Sequence, residues 1–154
     1  MFSVQELIEI AVRIEENGAR FYQAAARAAV EIEAELLFAY LADEEERHRE
    51  TFAALLDGAG SEAHFETYVG EHDAYLVAYA DNLVFAESEA AMELAAAGGP
   101  AAVSFAMQRE LESIQFYQEL KKYLPETRHA LLETIVAEEK DHYARLANLK
   151  KSYR

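Results

Sequence analysis

The chain has 154 residues, enough for one domain with a single buried core. Its 29 acidic residues against 14 basic ones give a formal charge of -15, which repels phosphate backbones and anionic lipid and so argues against nucleic-acid binding and a membrane-surface role. The absence of cysteine excludes disulfides, thiol catalysis, thiolate-bound zinc and iron–sulfur centres within the chain.

The opening residues Met1-Phe2-Ser3-Val4-Gln5-Glu6 show neither a basic nor an apolar leader region. No apolar run approaches the roughly 18 residues of a membrane span, so the expected location is the cytoplasm. Two prolines and six glycines in the whole chain favour long helices. From 3 to 29, apolar residues recur at Val4, Leu7, Ile8, Ala11, Ile14, Phe21, Tyr22 and Ala25, the spacing of an amphipathic helix. Ser3 followed by Glu6 predicts a capping box at its start. A second helix is predicted over 31–56, with Leu37, Phe38, Leu41, Phe52 and Leu55 on one stripe and Asp57-Gly58-Ala59-Gly60 as its stop. Gly98-Gly99 and Pro100 open a third over 100–123, and Pro125 precedes a fourth over 126–149 with Leu132, Ile135, Val136 and Leu146 inward. The connection 58–99 holds only short periodic pieces. A helix of about 25 residues is roughly 37 Å long, and a connection of this length can return along it, so the second and third helices can run parallel. The predicted fold is all-α: a single domain, 1–154, forming a ferritin-like four-helix bundle with one long crossover.

Some polar residues interrupt the apolar stripes. Glu15 lies between Ala11/Ile14 and Gly18/Tyr22, and Glu110 between Ala106/Met107 and Ile114/Tyr117. Glu45 and His48 lie between Leu41/Ala42 and Phe52; Glu139 and His142 lie between Ile135/Val136 and Leu146. Positions three apart share a helix face, so each Glu-x-x-His can converge on one ion. The halves repeat: Glu15…Tyr22 then Glu45-Glu46-Arg47-His48, and Glu110…Tyr117 then Glu139-Lys140-Asp141-His142. Two divalent cations would balance four buried carboxylates, each of which would otherwise cost several kcal/mol or be neutralised. A nitrogen and oxygen ligand set without sulfur suits iron or manganese. A carboxylate from each of two helices plus Glu-x-x-His from the other two is the pattern of di-iron and di-manganese bundles.

Around these six, Tyr22 and Tyr117 either donate hydrogen bonds to carboxylates on another helix or pack as core aromatics. Glu44 and Glu138 either brace the opposite histidine or belong to a solvated face. His64, His72 and His129 are expected at the surface or in the crossover.

On Glu15…Tyr22, Leu41-Ala42-Asp43-Glu44-Glu45-Glu46-Arg47-His48, Glu110…Tyr117 and Val136-Ala137-Glu138-Glu139-Lys140-Asp141-His142, the chain resembles the rubrerythrins of the ferritin-like superfamily. The resemblance implies two irons (manganese or a mixed pair as alternatives) bridged by Glu45 and Glu139, with Glu15, Glu110, His48 and His142 as terminal ligands. It implies reduction of hydrogen peroxide or dioxygen, with electrons from a rubredoxin-type donor. Two departures stand out. Without cysteine the donor must be a separate protein, and Ser113 occupies the place of the family's seventh carboxylate, Glu112 pointing to another side of the helix. The remaining six-ligand set is shared with ferroxidases, so iron handling is a second reading and a helical module stapled by its metal a third. A homodimer is expected, with Phe65, Tyr68, Tyr75, Tyr79 and Phe85 of the crossover covering the bundle or reaching a neighbour, and with hairpin swapping open as a variant.

Overall fold

The computed structural model describes residues 3–59 and 89–153, together with the isolated positions Ala74 and Ala78. Helix α1 spans Val4–Ala28; Ser3 Oγ accepts from the Glu6 amide at 3.1 Å while the Ser3 amide donates to Glu6 Oε2 at 2.6 Å. That reciprocal pair satisfies donors the first turn leaves unpaired. Helix α2 spans Ile32–Ala59 and so runs three residues past the expected stop at 56. Leu55 is buried near that end, and one helical glycine, Gly58, costs only about 1 kcal/mol.

Helix α3, Glu89–Ala97, packs against α1 and buries Ala95. Gly98 and Gly99 then take φ of 66° and 71°, a left-handed corner that side-chain-bearing residues rarely adopt. Pro100 follows in the first turn of α4, Gly99–Lys121. Helix α5 spans His129–Ser152, beginning and ending three residues later than 126–149. The later start has a local cause. Pro125 opens a 3-10 turn over Glu126–Arg128, closed by Arg128 N–H donating to Pro125 O at 2.8 Å, and His129 ties its ring to Leu124 O at 2.9 Å. Lys150 and Lys151 face the negative end of the dipole in the last turn, which favours the longer C-terminus. The aromatic residues named for the crossover, with His64 and His72, lie outside the described residues.

Two apolar clusters order the bundle. One joins the first half of α1 (Val4, Leu7, Ile8, Ile14) with the end of α2 (Phe52, Leu55), the end of α4 (Phe116, Leu120) and the start of α5 (Leu132, Ile135). The other joins the second half of α1 (Phe21, Tyr22, Ala25) with the start of α2 (Phe38, Leu41), the start of α4 (Ala102, Val103, Ala106) and the end of α5 (Leu146, Leu149). Thus α1 and α2 are antiparallel, α4 and α5 are antiparallel, and α2 runs parallel to α4. This is the ferritin-like connectivity, which needs a long return between the hairpins. Among the described residues no helix is long and apolar enough to cross a membrane.

Candidate metal centre

On each of the four long helices a buried polar layer separates the two apolar clusters. Glu15, Glu45, His48, Glu110, Glu139 and His142 are all buried, none more than 5 % exposed. The i,i+3 spacing in α2 and α5 turns Glu45 with His48, and Glu139 with His142, toward the bundle axis, where Glu15 of α1 and Glu110 of α4 meet them.

The six fall into two overlapping quartets: Glu15, Glu45, His48 and Glu139, and Glu45, Glu110, Glu139 and His142. Within each, one candidate ligand atom per residue lies within 4.8 Å of the others, and Glu45 and Glu139 belong to both. Both histidines point Nδ1 inward. His48 Nδ1 is 2.9 Å from Glu139 Oε1 and 3.6 Å from Glu15 Oε2. His142 Nδ1 is 3.3 Å from Glu139 Oε2, 3.5 Å from Glu45 Oε1 and 3.8 Å from Glu110 Oε1.

The tyrosines cross between hairpins. Tyr22 of α1 donates to Glu110 Oε1 of α4 at 2.5 Å, and Tyr117 of α4 donates to Glu15 Oε1 of α1. Each carboxylate is thereby oriented by the opposite hairpin, so of the two roles open to these side chains the structure shows the hydrogen-bonded one. Gly18, one turn from Glu15, makes room for a neighbour: a Cβ there would lie 3.1 Å from Glu45 Oε2. Ser113 is buried, but its hydroxyl donates to Arg109 O one turn back at 3.0 Å, and Glu112 pairs with Arg109 at 3.0 Å. His129 is bound to the α4–α5 corner, away from the cluster.

A wet exterior would stabilise four clustered carboxylates; this interior does not. Burial, reinforced by Glu139, raises the Glu15 pKa, and burial with Glu15 and Glu110 raises Glu45 well above the usual carboxylate range. Burial, then the charges of Glu110 and Glu45, pushes Glu139 up to about 8. Glu110 alone goes down: burial opposes its ionisation, but the nearby Glu139 and His142 and the hydrogen bond from Tyr22 outweigh that. Burial likewise opposes the charged imidazoles, yet Glu139 and Glu15 raise His48 to about 12, and Glu110, Glu139 and Glu45 raise His142 as well. Protons are thus the charge compensation available to the protein alone. They compensate incompletely: Glu15 Oε2, both Glu139 oxygens, Nδ1 of both histidines and His142 Nε2 are buried without a hydrogen-bond partner among the described residues. Five of those six atoms belong to the inward-facing ligand positions, which is the donor set two divalent cations would satisfy.

A cavity of about 250 Å³ opens between α1, α3 and α4 and reaches Glu45 and Glu110. Gly18 and Ser113 line it, with Phe21 and Phe105 as apolar wall. In the sequence Gly18 was legible only as a position on the α1 stripe beside Glu15. The cavity itself had no signal in the sequence, because it depends on how α3 packs on α1.

A bundle of two hairpins with a long return, and a Glu/His cluster shared between them at mid-height, defines a ferritin-like carboxylate protein. Its fold matches a crystal structure from Thermotoga maritima, described as a ferritin-like diiron-carboxylate protein, with a TM-score of 0.72 and 22% identity over 97% of this chain and 95% of that one. No curated protein sequence matches. The family model for rubrerythrin matches residues 6–150. The chain belongs to the rubrerythrin family.

Proposed function

We propose that the cluster holds two iron ions and that the protein is a redox enzyme reducing hydrogen peroxide or dioxygen with electrons from a separate donor protein. The observation that carries this reading is the pair of quartets sharing Glu45 and Glu139. Glu15 and His48 would hold one ion, Glu110 and His142 the other, and Glu45 and Glu139 would lie between them. Iron supplies the two-electron reducing chemistry that carboxylates and imidazoles lack.

The remaining work falls to the chain. The two apolar clusters above and below the polar layer exclude bulk water and keep the electrostatics strong. Tyr22 and Tyr117 hold Glu110 and Glu15 in place for loading. The cavity beside Gly18 and Ser113 gives a small oxidant access to the Glu45/Glu110 edge. Carboxylates whose pKa values are raised by burial are suited to take up the protons that oxidant reduction consumes. These 154 residues hold no cysteine to bind a second iron centre, which supports an electron donor outside them; a rubredoxin is the chemistry that fits. Ser113, bonded to its own helix, favours a second reading as a ferroxidase that oxidises incoming ferrous iron with the same six ligands.

The test is anaerobic loading with ferrous iron followed by separate mixing with peroxide and with dioxygen. Stoichiometric peroxide loss with oxidation of two irons per chain supports peroxide reduction. Repeated turnover of added ferrous iron by dioxygen supports the ferroxidase. Zinc-like inertness, with metal raising only the melting temperature, overturns both in favour of a structural staple. We also propose that the chain pairs as a homodimer through α2, where Ile32, Leu36 and Tyr40 form an exposed i,i+4 stripe. Leu36→Glu then yields a monomer by light scattering; an unchanged mass at this substitution overturns that surface.

A further inference from the structure

The two histidines sit in matching places in the repeat, yet their outward nitrogens are treated differently. His48 Nε2 donates to Glu138 Oε2 at 2.6 Å, across the bundle from α2 to α5. The counterpart contact, from His142 Nε2 to Glu44 Oε2, is 3.7 Å, too long for a hydrogen bond, and that nitrogen is buried without a partner among the described residues.

The cause is one side chain. The residue before the histidine is a cation in α2, Arg47, and an anion in α5, Asp141. Arg47 Nη2 lies 2.5 Å from Glu44 Oε2 and 2.9 Å from Glu138 Oε2, so it joins both outer carboxylates. Glu138 Oε2 accepts from Arg47 and still reaches His48, whereas the Glu44 oxygen nearest His142 is the one drawn to Arg47. Asp141 has no such reach; it pairs along its own helix with Arg145 at 2.6 Å, and Arg145 lies over the Tyr40 ring at 5.0 Å.

We propose that Arg47 is a positioning residue that makes the two halves of the metal centre unequal, holding Glu44 away from His142 while His48 keeps its bond to Glu138. An imidazole whose outer N–H is held by a carboxylate is fixed in orientation and is the more basic ligand. The ion held by Glu15 and His48 therefore binds first and more tightly, and the ion held by Glu110 and His142 binds second. The inference rests on the two-ion reading above but not on the reaction.

The experiment is anaerobic titration of the metal-free protein with Co²⁺, following the visible bands of the bound ion, with the number of bound ions counted by native mass spectrometry. Wild type is expected to fill in two steps separated by roughly 10- to 100-fold, the usual effect of an outer hydrogen-bond partner. Arg47→Gln frees Glu44, tightens the second step and narrows the gap to a few-fold. Glu44→Gln leaves the wild-type steps nearly unmoved but reopens the gap when combined with Arg47→Gln, a dependence that general loss of stability would not produce. Arg47→Lys, which keeps the charge, retains most of the gap. In the Zn²⁺-loaded protein the His142 ring N–H proton moves downfield in Arg47→Gln while that of His48 stays. Two equal steps in wild type, or an unchanged gap in Arg47→Gln, overturn the inference; a protein that takes up one ion or none overturns the two-ion reading itself.

Discussion

The α1–α2 and α4–α5 hairpins carry the same plan of three candidate ligands each and differ in what surrounds it. Glu15 matches Glu110, Tyr22 matches Tyr117, and each Glu-x-x-His matches the other, so the halves exchange hydrogen bonds reciprocally: Tyr22 to Glu110 and Tyr117 to Glu15. The small residues one turn on are not equal. Gly18 leaves Glu45 the space a Cβ would take, whereas Ser113 turns its hydroxyl back on its own helix. The Glu/His set is duplicated while its surroundings diverge, α3 packing more extensively on α1 than on α4.

The largest effect expected on this symmetry comes from the shared carboxylates. Glu139→Ala removes a member of both quartets, so binding of both ions should collapse together, while Glu15→Ala should spare the Glu110/His142 ion. Metal content after dialysis separates these outcomes, and loss of a single ion from Glu139→Ala would show that the halves load independently.

The next effect is in pH. Glu139 has its pKa raised from 4.5 to about 8 in the fold, and His48 from 6.5 to about 12. A raised value contributes stability that is complete below the ordinary pKa and is lost as pH climbs through the raised one. The metal-free protein should therefore lose stability between about pH 5 and pH 8, as Glu139 and the other raised carboxylates, Glu15 and Glu45, give up their protons. A loss of a few kcal/mol corresponds to a melting temperature lower by on the order of 10 °C in a chain of this size. With metal bound the trend reverses, because the ions compete with the same protons. A metal-free protein that melts higher at pH 8 than at pH 5 would contradict the buried-charge account.

Tyr22→Phe and Tyr117→Phe each remove one hydrogen bond to a buried carboxylate, worth about 1.5–3 kcal/mol. Equal losses in urea melts would mean the hairpins are energetically matched, and unequal ones would locate the stiffer half. The smallest effect belongs to the small residues. Gly18→Ala would displace Glu45 by a few tenths of an ångström, and since a full ångström costs a reacting group about 10²-fold, ferrous oxidation should slow by less than about 10-fold. Ser113→Gly removes a side chain from the cavity wall but moves none of the six Glu/His groups, so it should change that rate less than Gly18→Ala does.

Much of this was readable from residue order. The stripes of α1 and α4 exposed Glu15 and Glu110 as carboxylates out of place, and the repeat tied them to the histidines, because helical periodicity states which face is buried. It does not state which neighbour that face meets. Arg47 reads as one more charge on an acidic helix until the register of α2 against α5 brings Glu138 within 2.9 Å of it. The Glu44–His142 contact fails for the same reason, though it is equivalent in sequence to Glu138–His48. Helix ends were similarly blurred where a 3-10 turn, and not the helix itself, follows Pro125.

Each long helix supplies its ligands from a single turn at mid-length, and one turn of helix is about 5.4 Å of travel. The ligand atoms of each quartet lie within 4.8 Å of one another, so a helix that slid by one turn would carry its donors clean out of the site while still burying an apolar face. With cations bound as proposed, the cluster would act as a vernier for the whole bundle: cation uptake would read out the correct longitudinal alignment of four helices at once, and a misaligned yet compact chain would betray itself by failing to take up metal.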